Sequence, residues 1–299
     1  MGLRDRGYQS GGQVMTSRKM RTTSKLKLSM AVGDYDRVRP LMDGAVQIDG
    51  VDPIFMNLPP EEIFFRAFRS VDFDICELSL SSFTVKIAEH NCPYVGIPAF
   101  VSRAFRHNSI YVRRDRITSP GDLKGRRVGL PEYQLTACVW ARIILEDDHG
   151  VRPSDIVWVR GGIEHLGRPE KIAIKLPADV RLEDAPQRTT ISALLERGEI
   201  DAFIAPRVPS LAGKKNPNIG WLFPDPINAG KAYFKTHRYF SHHASDWDQA
   251  RAGRGVSMAA GGCLQGVRTG KGKVPCGAPR HCSEPGDAAV RGGAVARHA

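Results

Sequence analysis

Apolar and polar positions alternate over residues 26–32 and stop at Gly33-Asp34, the pattern of a half-buried strand running into a turn. A short helix over 35–43, ending at Gly44, and a strand over 51–58, interrupted by Pro53, follow. Pro60-Glu61-Glu62 opens a helix. Proline has no N–H to leave unpaired in a first turn, and acids there face the positive end of the helix dipole. Ile63, Phe64, Ala67, Phe68 and Val71 then recur along one face. Residues 73–78 read as a buried strand, Ser79, Ser81 and Ser82 lead into a helix reaching about His90, and 94–100 and 109–113 are further strands.

The pattern restarts near residue 119. Asp122 to Gly125 form a turn, 127–130 a short strand, 135–147 a helix closed by Gly150, and 156–159 a strand. A helix over 191–197 stops at Gly198, before a strand over 200–205. Strands alternating with helices predict an α/β fold with mostly parallel sheets. The restart predicts two lobes, 27–114 and 115–207, with 111–115 as one crossing and 208–240 returning toward the first lobe.

The ends differ from this body. Residues 1–26 are polar, rich in Gly, Ser and Arg, and lack the apolar run of a secretory signal. They read as a disordered leader or as sequence upstream of a start at Met15 or Met20, with a transit peptide as the alternative, which makes a cytoplasmic protein the expectation. Residues 241–299 hold one leucine, Leu264, and no Ile, Phe or Tyr, too little apolar surface to offset the entropy of ordering, so disordered termini are expected. The formal charge of +11 is concentrated there, with seven Lys and Arg against Asp5 in residues 1–27 and eight against four acids in 241–299. A nearly neutral body argues against a nucleic-acid partner, and no apolar stretch is long enough for a membrane partner. Six cysteines without short paired spacings are neither a disulfide scaffold nor a zinc motif, Cys263, Cys276 and Cys282 near His281 included; Cys76, Cys92 and Cys138 lie in apolar runs and read as core.

The tail also has a second reading. When its codons are shifted forward by one base, residues 241–248 permit Pro-Ile-Met-His-Leu-Ile-Gly-Ile. The glycine is forced by Trp247 followed by Asp248, and Met258 before Ala259 forces a tryptophan. The shifted text has strand-like and helix-like patterning that the printed text lacks. A one-base frameshift near Arg238 to Tyr239 is therefore expected, with an authentic disordered tail as the alternative.

Several segments together resemble a known family. "DLKGRRVGLPEY" (122–133) and "ALLERGEIDAFIAPR" (193–207) are similar to the second lobe of the two-lobed type 2 periplasmic-binding-protein fold. "GDYDRVRPLMDG" (33–44), "PPEEIFFRAFRSVDFDICELSLSS" (59–82), "IPAFVSRAFRHNSIYV" (97–112), "GLPEYQLTACVWAR" (129–142) and "WVRGGIEHLGR" (158–168) resemble the 4,5-dihydroxyphthalate decarboxylase family over about 27 to 238. The shifted-frame text also looks like that family's continuation. The resemblance implies a two-lobed, type 2 periplasmic-binding-protein-like α/β fold. It also implies a carboxy-lyase of phthalate-type catabolism that converts a small aromatic dicarboxylate, 4,5-dihydroxyphthalate, to 3,4-dihydroxybenzoate plus carbon dioxide. No cofactor and no metal is expected, since a hydroxylated ring can take up a proton, tautomerise and lose carbon dioxide as aromaticity returns. A homo-oligomer is left open.

Such a reaction needs groups that hold carboxylates, groups that steady phenolic oxygens and a proton donor. Arg103 and Arg106 offer planar bidentate donors to a carboxylate, the alternative being an interlobe salt bridge or a solvated face. His107 is the candidate proton donor, or a structural histidine at a strand entrance. Ser81 and Ser82 precede a helix and either bind an anion or cap it. Tyr133, Gln134 and Thr136 occupy the matching turn of the second lobe, where Tyr133 either meets the ring or simply packs. Asp34 either accepts a phenolic proton or caps a helix, and Arg207 either reaches the cleft or marks the return crossing. The rival function is a solute-binding protein that captures a small organic anion for transport. If the frame breaks near 238, this chain lacks pieces of its first lobe and is expected to have impaired activity.

Overall fold

The computed structural model describes residues 24–167, 169–213, 216–239, 242–244 and 267–268. Most of the leader and most of the tail, including Cys263, Cys276, Cys282 and His281, lie outside them.

The first lobe starts with β1 (Leu26–Val32), whose last three residues are buried. Helix α1 (Arg39–Met42) is shorter than its pattern suggests because Pro40 is tolerated only in a first turn and so fixes where the helix can begin. Strand β2 (Val51–Asn57) runs parallel to β1 from Leu26 opposite Val51 to Val32 opposite Asn57. Pro53 sits within β2 without ending it, as an edge strand permits. Helix α2 (Pro60–Arg69) buries Ile63, Phe64 and Ala67 against the sheet. Strand β3 (Ile75–Cys76) pairs in parallel with the other edge of β1. It is followed by α3 (Leu80–Ala88), β4 (Tyr94–Val95) and β5 (Ser102–Arg103).

The second lobe contains β6 (Ile110–Arg113), β7 (Arg127–Leu130), α4 (Thr136–His149), β8 (Val157–Arg160), β9 (Arg181–Asp184), α5 (Ile191–Arg197), β10 (Ala202–Ile204), α6 (Ser210–Gly213), β11 (Ile219–Trp221) and α7 (Pro226–His237). Its sheet has the order β11-β6-β10-β7-β8-β9, with β6 antiparallel to both neighbours. Gly129 lets α5 close on this sheet, since a Cβ there would stand 2.5 Å from Ile191 Cγ2.

Two further strands come from the tail. β12 (His242–Ala244) pairs antiparallel with β5, and β13 (Val267–Arg268) pairs antiparallel with β3 and β4. The first sheet therefore has the order β2-β1-β3-β13-β4. Both sheets follow one plan: second, first and third strands, then an antiparallel strand, then a fourth. In the second lobe this is β8-β7-β10-β6-β11, with β9 added outside. The fold is two-lobed, α/β and type 2 periplasmic-binding-protein-like.

Two expectations are corrected. Strand β6 already belongs to the second sheet, and so does β11, so the chain leaves the first lobe before residue 110 and its return begins only after Trp221. The tail past 240, expected to be without order, supplies two short strands, because ladder hydrogen bonds come from the backbone and need no apolar sequence.

Candidate active site

In open parallel sheets, ligands settle beyond the carboxyl ends of the strands where the strand order reverses. That point lies between β1 and β3 in the first lobe and between β7 and β10 in the second. A cleft of about 210 Å³ opens at both. The first lobe and the crossing segment contribute Tyr35 after β1, Glu61 and Phe64 from α2, Ser79 after β3, Ser102 from β5, and Arg106. The second lobe contributes Leu135, Thr136 and Ala137 at the start of α4, and Pro206 and Arg207 after β10.

The cleft is built to receive negative charge. The first turns of α2 and α4 face it, as does Ser79 at the start of α3, and the leading N–H groups of a helix have no partner within the helix. Arg106 Nη1 donates to the Pro206 carbonyl at 3.2 Å, which holds its guanidinium at the junction of the lobes. Burial lowers the Arg106 pKa to about 10, so the group is still charged at neutral pH. Arg207 pairs with Glu61 across the mouth. Beneath them, hydroxyls latch the lobes together. Ser79 Oγ lies 2.9 Å and Ser81 Oγ 3.0 Å from Thr136 Oγ1, the Ser81 amide donates to the same oxygen at 3.2 Å, and Ser81 Oγ donates to the Gln134 carbonyl.

Among the expected site residues, Arg106, Thr136 and Arg207 line the cleft. Ser81 works in the latch, and Ser82 is buried behind it with its hydroxyl 3.4 Å from Ser79 Oγ. Gln134 is buried, its backbone carbonyl taking part in the latch. The other four do not line the cleft. Arg103 is exposed and stacks over Phe100 at 5.3 Å, because neighbouring strand residues point to opposite faces and Ser102 takes the inward one. His107 is 3% exposed and lies among aromatic rings, 5.0 Å from Phe223 and 5.4 Å from Tyr233. Burial lowers its pKa to about 4, which favours the neutral imidazole at pH 7 over the imidazolium that would serve as the acid. Tyr133 packs on Arg142, 3.8 Å from its ring, and edge-on to Trp158. Asp34 is exposed and pairs with Arg39 at 2.9 Å.

The chain is 58% identical over 217 residues to a 4,5-dihydroxyphthalate decarboxylase of Pseudomonas putida, covering 72% of this chain and 84% of that protein. The chain belongs to the 4,5-dihydroxyphthalate decarboxylase family. A Comamonas testosteroni protein of the same name is 59% identical over 218 residues, covering 73% of this chain and 66% of that one. No family model matches the chain. Among solved structures, the aliphatic sulphonate-binding protein SsuA of Escherichia coli superimposes with a TM-score of 0.42 at 13% identity, covering 67% of this chain and 57% of that one. The alkanesulfonate-binding SsuA of Xanthomonas axonopodis gives 0.41 at 11%, covering 71% and 68%.

Glu61, Phe64 and Ser102 in the wall of this decarboxylase-family cleft escaped the sequence reading, and so did an acid behind it. Glu77 follows β3 and is fully buried beside the cleft wall. The Gly33 amide and the Tyr35 hydroxyl donate to its carboxyl group at 3.4 and 3.3 Å. Burial is the main cause that raises its pKa to about 7. The available signal was a carboxylate inside the apolar run Phe73 to Leu78, since acids are rarely buried without a specific partner. No group of three or more metal-ligating side chains occurs among the described residues.

Proposed function

We propose that this chain decarboxylates 4,5-dihydroxyphthalate to 3,4-dihydroxybenzoate. The observation that carries the reading is a cleft at both switch points, lined by two arginines and the first turns of helices, in a chain 58% identical to a decarboxylase of that name. Arg106 holds one carboxylate, and Arg207 exchanges Glu61 for the other. Ser79, Ser102 and Thr136 offer hydroxyls to the phenolic oxygens, and Phe64 packs on the ring.

The chemistry follows from the substrate. Each carboxylate is para to a hydroxyl, so either can leave with the same product. A proton adds to the ring carbon bearing the departing carboxylate as the para hydroxyl loses its own, giving a dienone. The carbon–carboxylate bond then breaks, carbon dioxide departs, and the electron pair restores the aromatic ring and passes to the carbonyl oxygen, which takes a proton back from solvent to become the hydroxyl again. One proton is consumed per turnover. The free Cys76, Cys92 and Cys138 fit a reducing cytoplasm as the site of action, and no described helix is long and apolar enough to cross a membrane.

The test is incubation of the purified full chain with 4,5-dihydroxyphthalate, following carbon dioxide and 3,4-dihydroxybenzoate together. Stoichiometric release of both is the expected result. Saturable binding without release would overturn the reading in favour of a solute-binding protein.

A further inference from the structure

The reaction needs a proton at the ring carbon, and among the described residues no histidine lines the cleft. On the decarboxylase reading above, we infer that Tyr35 delivers this proton to the substrate and that Glu77, behind it, resupplies Tyr35. Tyr35 lines the cleft, and its hydroxyl lies 3.3 Å from Glu77 Oε1. Gly33 makes this geometry accessible, since a Cβ at that position would stand 3.0 Å from the Tyr35 ring, and its amide reaches Glu77. Glu77 is 0% exposed, and among the described residues the hydroxyl that bonds it is that of Tyr35, which lines the cleft.

The groups around the pair favour a stored proton. Glu61 from α2 opposes a second negative charge at Glu77, while Arg37 acts in the other direction. Cys76 is adjacent in β3 and is held as a neutral thiol by burial. Tyr35 is pushed upward, first by its own burial and then by Glu77, so it does not rest as a phenolate; Ser102 and Arg37 oppose that shift. With its pKa raised to about 7, Glu77 holds a proton in a large fraction of molecules near neutral pH.

The transfer balances. The Tyr35 O–H bond breaks as a C–H bond forms at the ring, and the Glu77 O–H bond breaks as the Tyr35 hydroxyl is restored. Glu77 is left as a carboxylate, and solvent returns one proton before the next cycle. Tyr35 is the catalytic group, and Glu77 acts through it.

Glu77→Gln preserves the shape, lets the amide oxygen accept from Gly33 while the amide N–H donates to the Tyr35 oxygen, and removes the exchangeable acid. It is expected to lower kcat by about 10²-fold or more, within the range of general acid catalysis, while calorimetric binding of phthalate stays near the wild-type value. In the wild type, kcat/KM falls above pH 7 as Glu77 ionises, and in Glu77→Gln that limb is absent. Substrate ionisation is common to both proteins, so the difference between the profiles belongs to Glu77. Tyr35→Phe is expected to lose turnover with little change in phthalate binding, and together with the wild-type pH profile it decides the matter if Glu77→Gln misfolds. Wild-type kcat with an unchanged pH profile in Glu77→Gln, or full turnover in Tyr35→Phe, would overturn the relay. Absence of carbon dioxide release from the wild type would instead remove the decarboxylase reading beneath it.

Discussion

At the scale of single residues, burial and pairing separate groups that look alike in sequence. Arg106 is held at the lobe junction and Arg207 at the exposed mouth, so their losses should differ. Arg106→Ala is expected to raise KM about 10- to 100-fold, the range of a charge-assisted hydrogen bond, with Arg106→Lys restoring little of it for want of a second parallel donor. Arg207→Ala should raise KM only a few-fold, because exposed ion pairs are weak; steady-state kinetics on the three variants checks both. Glu77 also makes a stability prediction. Its folded pKa of about 7 exceeds the ordinary 4.5, so the native state binds this proton more tightly than the unfolded chain does. Stability from this group is therefore full below pH 4.5 and is lost as pH rises to 7, on the order of 3 kcal/mol in all. Denaturant unfolding should show Glu77→Gln gaining on the wild type by that order between pH 4 and pH 8. The lining of the cleft was legible only where residue type and turn position sufficed, as for Arg106, Thr136 and Arg207. His107 follows Arg106 directly, and sequence does not reveal that its side chain turns into a ring cluster with Phe223 and Tyr233. Glu77 was missed for the converse reason, its link to the cleft being a contact with Tyr35, forty-two residues away.

At the scale of elements, patterns with a strong local cause were legible. β1, β7 and α5 occur where alternation, turn glycines and the Gly198 stop place them, and α2 begins at its proline. Elements defined by pairing rather than by pattern were not. Strand β9 is a polar edge, with Arg181, Glu183 and Asp184 exposed, and β5 has two residues held by β12. The strands and helices meet where Ser81 and Thr136 bridge the starts of α3 and α4. If this bridge acts as a closing latch, Ser81→Ala and Thr136→Ala should not be additive. A double-mutant cycle on unfolding free energy is expected to give a coupling of about 1 kcal/mol, with the double variant losing less than the sum of the singles. Additive losses would show that the hydroxyls are near each other without depending on each other.

At the scale of the whole molecule, the first sheet depends on a distant piece of chain. β3 and β4 join only through β13, a two-residue strand from the tail, whereas the matching position in the second sheet is held by the four residues of β6. More than a quarter of the chain lies outside the match to the Pseudomonas putida relative, and the first lobe leaves Ile54 and Ile87 exposed. A tail of Gly, Ala and Arg supplies backbone to that position but little apolar surface, and it is apolar burial that holds a sheet to its neighbours. Back-translated and read one base forward, residues 241–248 permit an apolar stretch beginning Pro-Ile-Met-His-Leu-Ile. Each such side chain buried contributes about 1.5 to 3 kcal/mol, and for a chain of this size each kcal/mol moves the melting temperature by about 2 to 4 °C. The shifted-frame protein is therefore expected to melt at least about 5 °C higher than the printed chain and to turn over 4,5-dihydroxyphthalate faster. Parallel melts followed by circular dichroism, with activity measured on the same samples, check this. Equal or lower stability in the shifted frame would mean that the printed tail, strand β13 included, is the segment that completes the first lobe.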